Sequence, residues 1–268
     1  MNKWIWRAAL VALCSLIAIS AQGQIVFTNQ FYGAAGEINP PNFKEPSAGT
    51  LFANNIWKVT QNNIDWVATA PYGWQASPDG GFSVDTDGYA CPVGSSCEAP
   101  LGEIVTSGTV NLTAGKTYNL TFYLSGNPDY LCTLPPASNS STDTSILNDQ
   151  VVTAGISSDS AGASPLVSQT FSFATTAGLA GGSSASGYNS AANMMWQTVN
   201  YQFVAPSSAT YYLFFQSSPG TGLAGGLMSW GAVVADPVIS VATIPEPSTC
   251  VLLGAGLLAL AALRRRLS

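Results

Sequence analysis

The sequence predicts an all-β fold, an antiparallel β-sandwich of the jelly-roll type, lying between two apolar ends. First, many short windows alternate apolar and polar residues with a period of two, the pattern of a half-buried strand. In the clearest window, 117–125, every second residue from Tyr118 to Leu124 is apolar. Second, no window between residues 24 and 243 shows a convincing amphipathic-helix pattern. Short strands divided by Gly, Pro, Asn and Ser are typical of sandwiches and jelly rolls.

The other predicted strands follow the same period. In the window 196–205, Val199 and Phe203 fall on one face, and Asn200 and Gln202 fall on the other. Three long stretches without such alternation are predicted to be loops, 34–50, 132–149 and 178–193. The remaining predicted strands are 82–86, 104–112, 150–156, 167–174, 210–217 and 237–242.

The C-terminal segment 244–268 has three parts. A proline-rich tripeptide precedes the uncharged, mostly apolar segment 250–263, and a basic cluster follows it. As a helix, this apolar segment would span about 21 Å, near the lower limit for crossing a bilayer core of about 30 Å. Cationic residues beside an apolar span stay on the cytoplasmic side, so everything before residue 244 is expected outside. The residues of the tripeptide and the cluster are Pro245, Glu246, Pro247, Arg264, Arg265 and Arg266.

The N-terminal segment 1–23 has the features of a secretory signal peptide. Lys3 and Arg7 precede the apolar run 8–19, and small residues follow at Ala21 and Gly23. An uncleaved N-terminal anchor is the alternative. The predicted organisation is therefore a signal peptide (1–23), an exported domain (24–243) and a sorting or anchor segment (244–268).

The order of proline-rich tripeptide, short apolar helix and arginine cluster resembles the PEP-CTERM sorting signal of Gram-negative bacteria. The resemblance implies recognition by an exosortase-type enzyme in the inner membrane and cleavage near Pro245. The protein would be anchored transiently in the membrane and would then pass to the cell envelope or the extracellular matrix. An ordinary single-pass anchor behind a proline linker predicts the same topology and differs only in whether the tail is removed.

The composition of the exported domain excludes several functions. Its thirteen Asp and Glu against three Lys give a net charge of −10, which disfavours nucleic acid as a partner. The chain contains no histidine, so His-dependent hydrolases and His-ligated metal sites are excluded. Of the cysteines in this domain, Cys91 and Cys97 close a short loop and are the preferred disulfide pair, although Cys132 competes for either partner.

A second resemblance covers roughly residues 65–240. The order of several segments is similar to that of the choice-of-anchor C family, and the most specific pieces are 83–85 and 124–129. The resemblance implies a galactose-binding-like β-sandwich, a fold that often holds a structural calcium ion. Asp85 and Asp87, followed by Gly88, resemble the opening of a calcium loop, whereas a plain hairpin turn is the alternative.

No motif selects a catalytic pair. Glycoside hydrolysis requires two carboxylates, and the available ones include Glu98, Glu103, Asp129 and Asp149, but none stands in a recognisable pattern. No catalytic residue and no obligatory cofactor is therefore predicted.

Aromatic residues in or beside loop-rich sequence are the candidate ligand contacts, since a ring face can stack on a sugar. Each of them can equally be a core residue, as is expected for Trp196. Association with exopolysaccharide or another cell-surface glycan predicts solvent-facing rings beside polar side chains, whereas a structural matrix or surface-coat protein without a small ligand predicts buried rings. A glycosidase is a third possibility. The candidate ligand-binding rings are Trp57, Trp66, Tyr72, Trp74 and Tyr130.

Overall fold

A computed structural model describes residues 23–33, 43–68, 72–86, 101–128, 150–173, 190–218 and 231–242. The chain divides into two units, one of residues 25–240 and one formed by 1–24 together with 241–268. Nearly all of the second unit lies outside the described ranges, so the domain limits 1–23, 24–243 and 244–268 stay predictions. Within the described ranges, no helix has both the length and the apolar character needed to cross a bilayer.

All the elements of the described ranges are β-strands, as predicted. In chain order they are β1 (Ile25–Thr28), β2 (Phe43–Lys44), β3 (Leu51–Phe52), β4 (Trp57–Gln61), β5 (Asp65–Val67), β6 (Ser83–Asp85), β7 (Glu103–Thr106), β8 (Val110–Leu112), β9 (Thr117–Gly126), β10 (Val151–Ser157), β11 (Pro165–Ser172), β12 (Gln197–Val204), β13 (Ala209–Ser218) and β14 (Ala232–Val241).

These strands form two sheets of seven strands each. Sheet one has the order β12-β9-β14-β6-β5-β2, and β1 also pairs with β14. Sheet two has the order β11-β10-β13-β7-β4-β3, and β8 also pairs with β13. Every strand pair whose register is described is antiparallel. The predicted antiparallel sandwich is therefore confirmed for this part of the chain.

The core lies between the two sheets and is rich in aromatic rings. Phe122 of β9 meets Phe215 of β13 with ring centroids 5.1 Å apart, which joins the sheets. Trp57 of β4 packs 5.9 Å from the same Phe215 ring. All three side chains are fully buried, and each ring of this size removes a large apolar area from water. The inward residues of β9, from Tyr118 to Leu124, supply the next layer, as their alternation predicts.

The predicted strands are recovered with two differences. The predicted strand 104–112 is split into β7 and β8, because Ser107 leaves the sheet and its backbone N–H donates to Ile56 O at 2.7 Å. Strands β1 to β5 have no counterpart among the predicted windows, and β2 lies inside the predicted loop 34–50. These strands have two to five residues each, which is too short for a period of two to stand out.

Candidate functional site

The predicted ligand rings on β4 and β5 are core residues. Trp57 and Trp66 are 0% and 1% exposed. The Trp57 Nε1–H donates to Asn29 Oδ1 at 2.9 Å, and the Trp66 Nε1–H donates to the Phe31 carbonyl at 2.8 Å. Because each ring is enclosed and its polar edge is already satisfied, neither can stack on a ligand. The prediction that Trp57 and Trp66 are exposed ligand contacts is therefore wrong.

Trp74 is also buried, in a smaller apolar cluster with Val67, Met194 and Val233. Its ring is 4% exposed and meets the ring of Tyr72 at 5.2 Å. Burial rules out stacking by Trp74 as well. Tyr72 is only half-buried but packs against this cluster, and Tyr130 lies outside the described ranges.

A continuous polar surface covers the outer side of β9 and β12. The two strands pair over eight residues without a bulge, from Thr117–Val204 to Leu124–Gln197. Thr121 Oγ1 donates to Asn200 Oδ1 at 3.0 Å, and Gln202 Nε2 donates to Asn119 Oδ1 at 3.3 Å. We call this surface the β9–β12 polar face and define it by Asn119, Thr121, Tyr123, Thr198, Asn200 and Gln202.

The side-chain amides of this face are only partly used by these two hydrogen bonds. An amide offers one acceptor oxygen and an NH2 group with two donor hydrogens. Within the described ranges, no hydrogen bond uses the Asn200 Nδ2 donor or the Gln202 Oε1 acceptor, and both side chains are exposed. The face therefore presents a donor and an acceptor to solvent from neighbouring outward positions of β12.

Two half-buried rings lie at the end of this face where β12 begins. Tyr123 pairs in register with Thr198, and its hydroxyl donates to Asp79 Oδ2 at 3.0 Å. Trp196 comes immediately before β12, and its Nε1–H donates to the Gln75 carbonyl at 3.1 Å. Burial raises the pKa of Tyr123, and the Asp79 carboxylate raises it further. Trp196 packs against the apolar cluster of Val67, Trp74, Met194 and Val233, as its sequence-based interpretation expects, but it is only half-buried there.

The turn that carries Asp79 is held by Asp236 of β14. Ser77 Oγ donates to Asp236 Oδ2 and is also within hydrogen-bond distance of the Gly80 carbonyl. Gln30 Nε2 donates to the Asp79 carbonyl at 3.0 Å. Asp236 has a left-handed backbone, with φ of 49°, and only 3% of its surface is exposed. This arrangement fixes the Asp79 carboxylate beside the Tyr123 hydroxyl.

The Asp236 carboxyl has a strongly raised pKa. Burial raises its pKa to about 6, the nearby charge of Asp79 adds to the shift, and the Ser77 hydrogen bond opposes it. Among the described residues, its Oδ1 has no hydrogen-bond partner. A Cβ on Gly81 would lie 2.8 Å from this oxygen and 2.9 Å from the Gln30 carbonyl oxygen, so a larger residue at this position would press against both. The Gln30 carbonyl accepts a hydrogen bond from the Phe82 backbone N–H at 3.0 Å.

The predicted calcium ligands are only partly described. Asp85 is buried, and its Oδ2 accepts a hydrogen bond from Asn127 Nδ2 at 2.5 Å, whereas Asp87 lies outside the described ranges. In the part of the chain that the structure describes, no group of three or more acids or cysteines is arranged to hold a metal. A calcium site at Asp85 and Asp87 stays a prediction.

The candidate catalytic acids do not form a described pair. Glu103 is 1% exposed, and its two carboxylate oxygens accept hydrogen bonds from Thr60 Oγ1 at 2.5 Å and from Gln61 Nε2 at 3.0 Å. Burial raises its pKa, which the Thr60 hydrogen bond partly offsets. This acid joins β7 to β4 inside the fold. Glu98, Asp129, Asp149, Cys91, Cys97, Cys132 and the six sorting residues, Pro245, Glu246, Pro247, Arg264, Arg265 and Arg266, lie outside the described ranges.

Several solved structures are similar to this chain at low identity. A cleaved adhesin domain of Lys-gingipain from Porphyromonas gingivalis has a TM-score of 0.39 and 13% identity, covering 80% of this chain and 97% of its own. The C-terminal CBM6 of LamC, a laminarinase of Zobellia galactanivorans, has a TM-score of 0.33 and 9% identity, covering 80% and 99%. A carbohydrate-binding module of Cellvibrio mixtus lichenase 5A, in complex with cellotriose, has a TM-score of 0.33 and 9% identity, covering 81% and 98%.

All three scores lie below 0.5, so these likenesses say nothing about what this chain binds. No curated protein matches the chain. Residues 243–266 match the PEP-CTERM protein-sorting motif. The chain therefore carries a PEP-CTERM sorting signal at its C-terminus, which marks it as an exported protein sorted by an exosortase-type system to the cell surface or the extracellular space.

Proposed function

We propose that this protein is a non-catalytic envelope or matrix protein that binds glycan through the β9–β12 polar face. The observation that carries the proposal is that half-buried rings and amides with unused hydrogen-bonding groups lie on or beside one face of sheet one. Tyr123 and Trp196 supply the rings, and Asn200 and Gln202 supply the amides. The sorting signal is consistent with glycan binding, because it directs the chain to the compartment that contains cell-surface polysaccharides.

The chemistry of this face suits a sugar chain. Each hydroxyl of a sugar both donates and accepts, and the Asn200 and Gln202 amides offer one free donor and one free acceptor. A half-exposed Tyr or Trp presents an apolar ring face while its polar edge stays hydrogen-bonded. The eight paired residues extend about 24 Å at about 3.4 Å per residue, which is long enough for several sugar units in a row.

The described acids support binding without catalysis. Glu103, Asp85 and Asp236 are buried and hydrogen-bonded within the fold. Asp79 is exposed beside the face, where its carboxylate accepts from Tyr123, and Asp236 is an acid close enough to interact with it. A glycosidase requires two carboxylates on either side of one bond. Because Asp236 is buried and does not reach solvent beside Asp79, this pair favours binding over hydrolysis.

The test is a glycan pull-down with the exported protein, in the presence of calcium or of a chelator. Polysaccharide from the envelope of an exosortase-carrying bacterium serves as the bait. The double variant Asn200→Ala with Gln202→Ala is expected to lose at least tenfold in retained protein, and so is Tyr123→Ala. The matched control is Thr153→Ala with Thr170→Ala, which removes a hydroxyl pair 2.9 Å apart on the outer side of sheet two. Equal retention of all variants would contradict the proposal.

A structural surface-coat role is the second candidate. It is favoured by the burial of Trp57, Trp66 and Trp74, which leaves three of the five sequence-predicted rings in the interior. For this role, the wild-type protein is expected to show no retention on any glycan while still being found in the envelope. Retention of the wild type together with its loss in the Asn200 and Gln202 variant favours glycan binding over this alternative.

A further inference from the structure

The strands β11 and β12 are the long outer strands of the two described sheets. Among the described strands, β12 pairs with β9 alone and β11 pairs with β10 alone. Each has eight residues. The ring of Phe171 on β11 meets that of Tyr201 on β12 at 6.0 Å, so the two edges lie side by side. Unpaired backbone N–H and C=O groups on such an edge are a template for another strand.

The opposite edges of the sheets have the protection that exposed edges usually carry. There the outer strands are β2 and β3, with only two residues each. Lys44 lies on β2, and Lys58 lies opposite Leu51 of β3. Short edge strands and lysine are common devices against pairing with other chains. Among the described residues, one side of the sandwich thus carries these devices, and the side of β11 and β12 has no further strand against it.

The edge of β12 has none of these devices. Its sequence, Gln197–Val204, contains no charged residue and no proline, and its register against β9 has no bulge. The whole stretch between Asp159 and Asp236 contains no charged residue. Within the described ranges, no backbone hydrogen bond reaches β12 from any strand other than β9.

We propose that the free edge of β12 pairs antiparallel with the β12 edge of a second copy of this chain. An antiparallel strand is complementary to its own copy, because donors and acceptors alternate along both edges. Two identical edges related by a twofold axis form a closed dimer. Because β12 carries no charge, the paired strands would contribute no like-charge contact to the repulsion between two domains of net charge −10.

This pairing leaves the outer side of the strands free. Sheet one would continue from β9 and β12 of one copy into β12 and β9 of the other. The β9–β12 polar faces of two copies would then lie next to each other on one extended surface. The sorting signal concentrates copies of the protein on one membrane, and this favours their association even through a small interface.

The experiment is sedimentation velocity of the purified exported protein over a range of concentrations. Asn200→Lys places a positive charge in the middle of β12. In the proposed dimer, the lysines of the two copies would lie near each other and repel. Asn119→Lys is the matched control, because it makes the same chemical change on the same outer face, but on β9, which has strands on both sides. Gln202→Lys is a second edge variant, and circular dichroism verifies that each variant is folded.

The wild-type protein and Asn119→Lys are expected to shift from monomer to dimer as concentration rises. The two edge variants are expected to form dimers only at concentrations at least ten times higher than the wild type needs. A wild-type protein that stays monomeric throughout would overturn the proposal, and so would equal association of the edge and control variants. Only self-association is compared here, so the outcome is independent of whether the polar face binds glycan.

Discussion

The buried Asp236 carboxyl makes a quantitative prediction about stability and pH. Its pKa is raised from 3.8 to about 6, mainly by burial, so the folded chain holds this proton more tightly than the unfolded chain. The associated stability is fully present below pH 3.8 and is lost as pH rises through about 6. At about 1.36 kcal/mol per pKa unit, a shift of roughly two units corresponds to about 3 kcal/mol.

The perturbation is Asp236→Asn, which keeps the shape and an oxygen that can accept from Ser77 but removes the charge. At pH 7 the variant is expected to be more stable than the wild type by up to about 3 kcal/mol, and the difference should shrink to near zero at pH 4. Urea unfolding followed by tryptophan fluorescence, in the presence of a chelator, measures both free energies. Trp57 and Trp66 are fully buried and report the transition.

The partly exposed acid Asp159 supplies a control, because its pKa is shifted in the opposite direction to that of Asp236. Asp159 accepts backbone hydrogen bonds from Ala161 and Ala163, and its pKa is lowered, chiefly by a side-chain hydrogen bond with Ser164. The ionised Asp159 carboxylate therefore stabilises the fold at a pH above the pKa that this group has in the unfolded chain, and this stabilisation is lost as the pH falls. Asp159→Asn should therefore be destabilising at pH 7 and neutral at low pH. If the difference between Asp236→Asn and wild type is the same at pH 4 and pH 7, the assignment of a raised pKa is incorrect.

Three further predictions concern the core, the strand packing and the tail. Trp57→Ala should lower the free energy of unfolding by about 3–5 kcal/mol in the same urea assay, since it empties a fully buried site, and a loss below 1 kcal/mol would contradict its burial. Gly155→Ala should destabilise by about 1–3 kcal/mol, because the new Cβ would lie 2.1 Å from the Val167 carbonyl, whereas Gly108→Ala meets nothing within 4 Å and should change stability little. Glu246→Ala should leave the tail uncut, so that mass spectrometry of the exported protein finds residues beyond 247, which are expected to be absent from the wild type.

The sequence predicts the faces of β9 and β12 well, because both strands are long enough for the period of two to be visible. Asn119, Thr121, Asn200 and Gln202 are assigned to outer faces by alternation alone. What alternation does not reveal is that β9 and β12 are neighbours in the same register. Only that pairing brings these side chains together on one surface.

The rings show where sequence reasoning fails. Trp57 stands among loop-like residues, yet β4 pairs with β7 and β3 in the interior of sheet two, so its side chain enters the core. Trp196 lies beside a strong strand but comes before its first residue, where it packs against the smaller apolar cluster and stays only half-buried. Burial of an aromatic residue depends on which strands pair, and short strands carry too little pattern to predict their partners.

Asp236 is another residue that sequence reasoning missed. Its neighbours in the chain are apolar, and nothing local indicates a strained, buried acid. Its hydrogen-bond partner Ser77 is 159 residues away, and the Gln30 carbonyl comes from the segment after β1. A contact of that separation has no signature in a local window, so the raised pKa can be found only from the fold.

Hydroxyl-radical footprinting with and without envelope polysaccharide tests the central claim, glycan binding at the β9–β12 polar face, most directly. Labelling of Tyr123 and Trp196 is expected to fall when the polysaccharide is added, while Tyr32, which is 45% exposed and not part of that face, keeps its labelling. The account is contradicted if polysaccharide binds while Tyr123 and Trp196 are labelled as before, or if protection appears at Tyr32 instead.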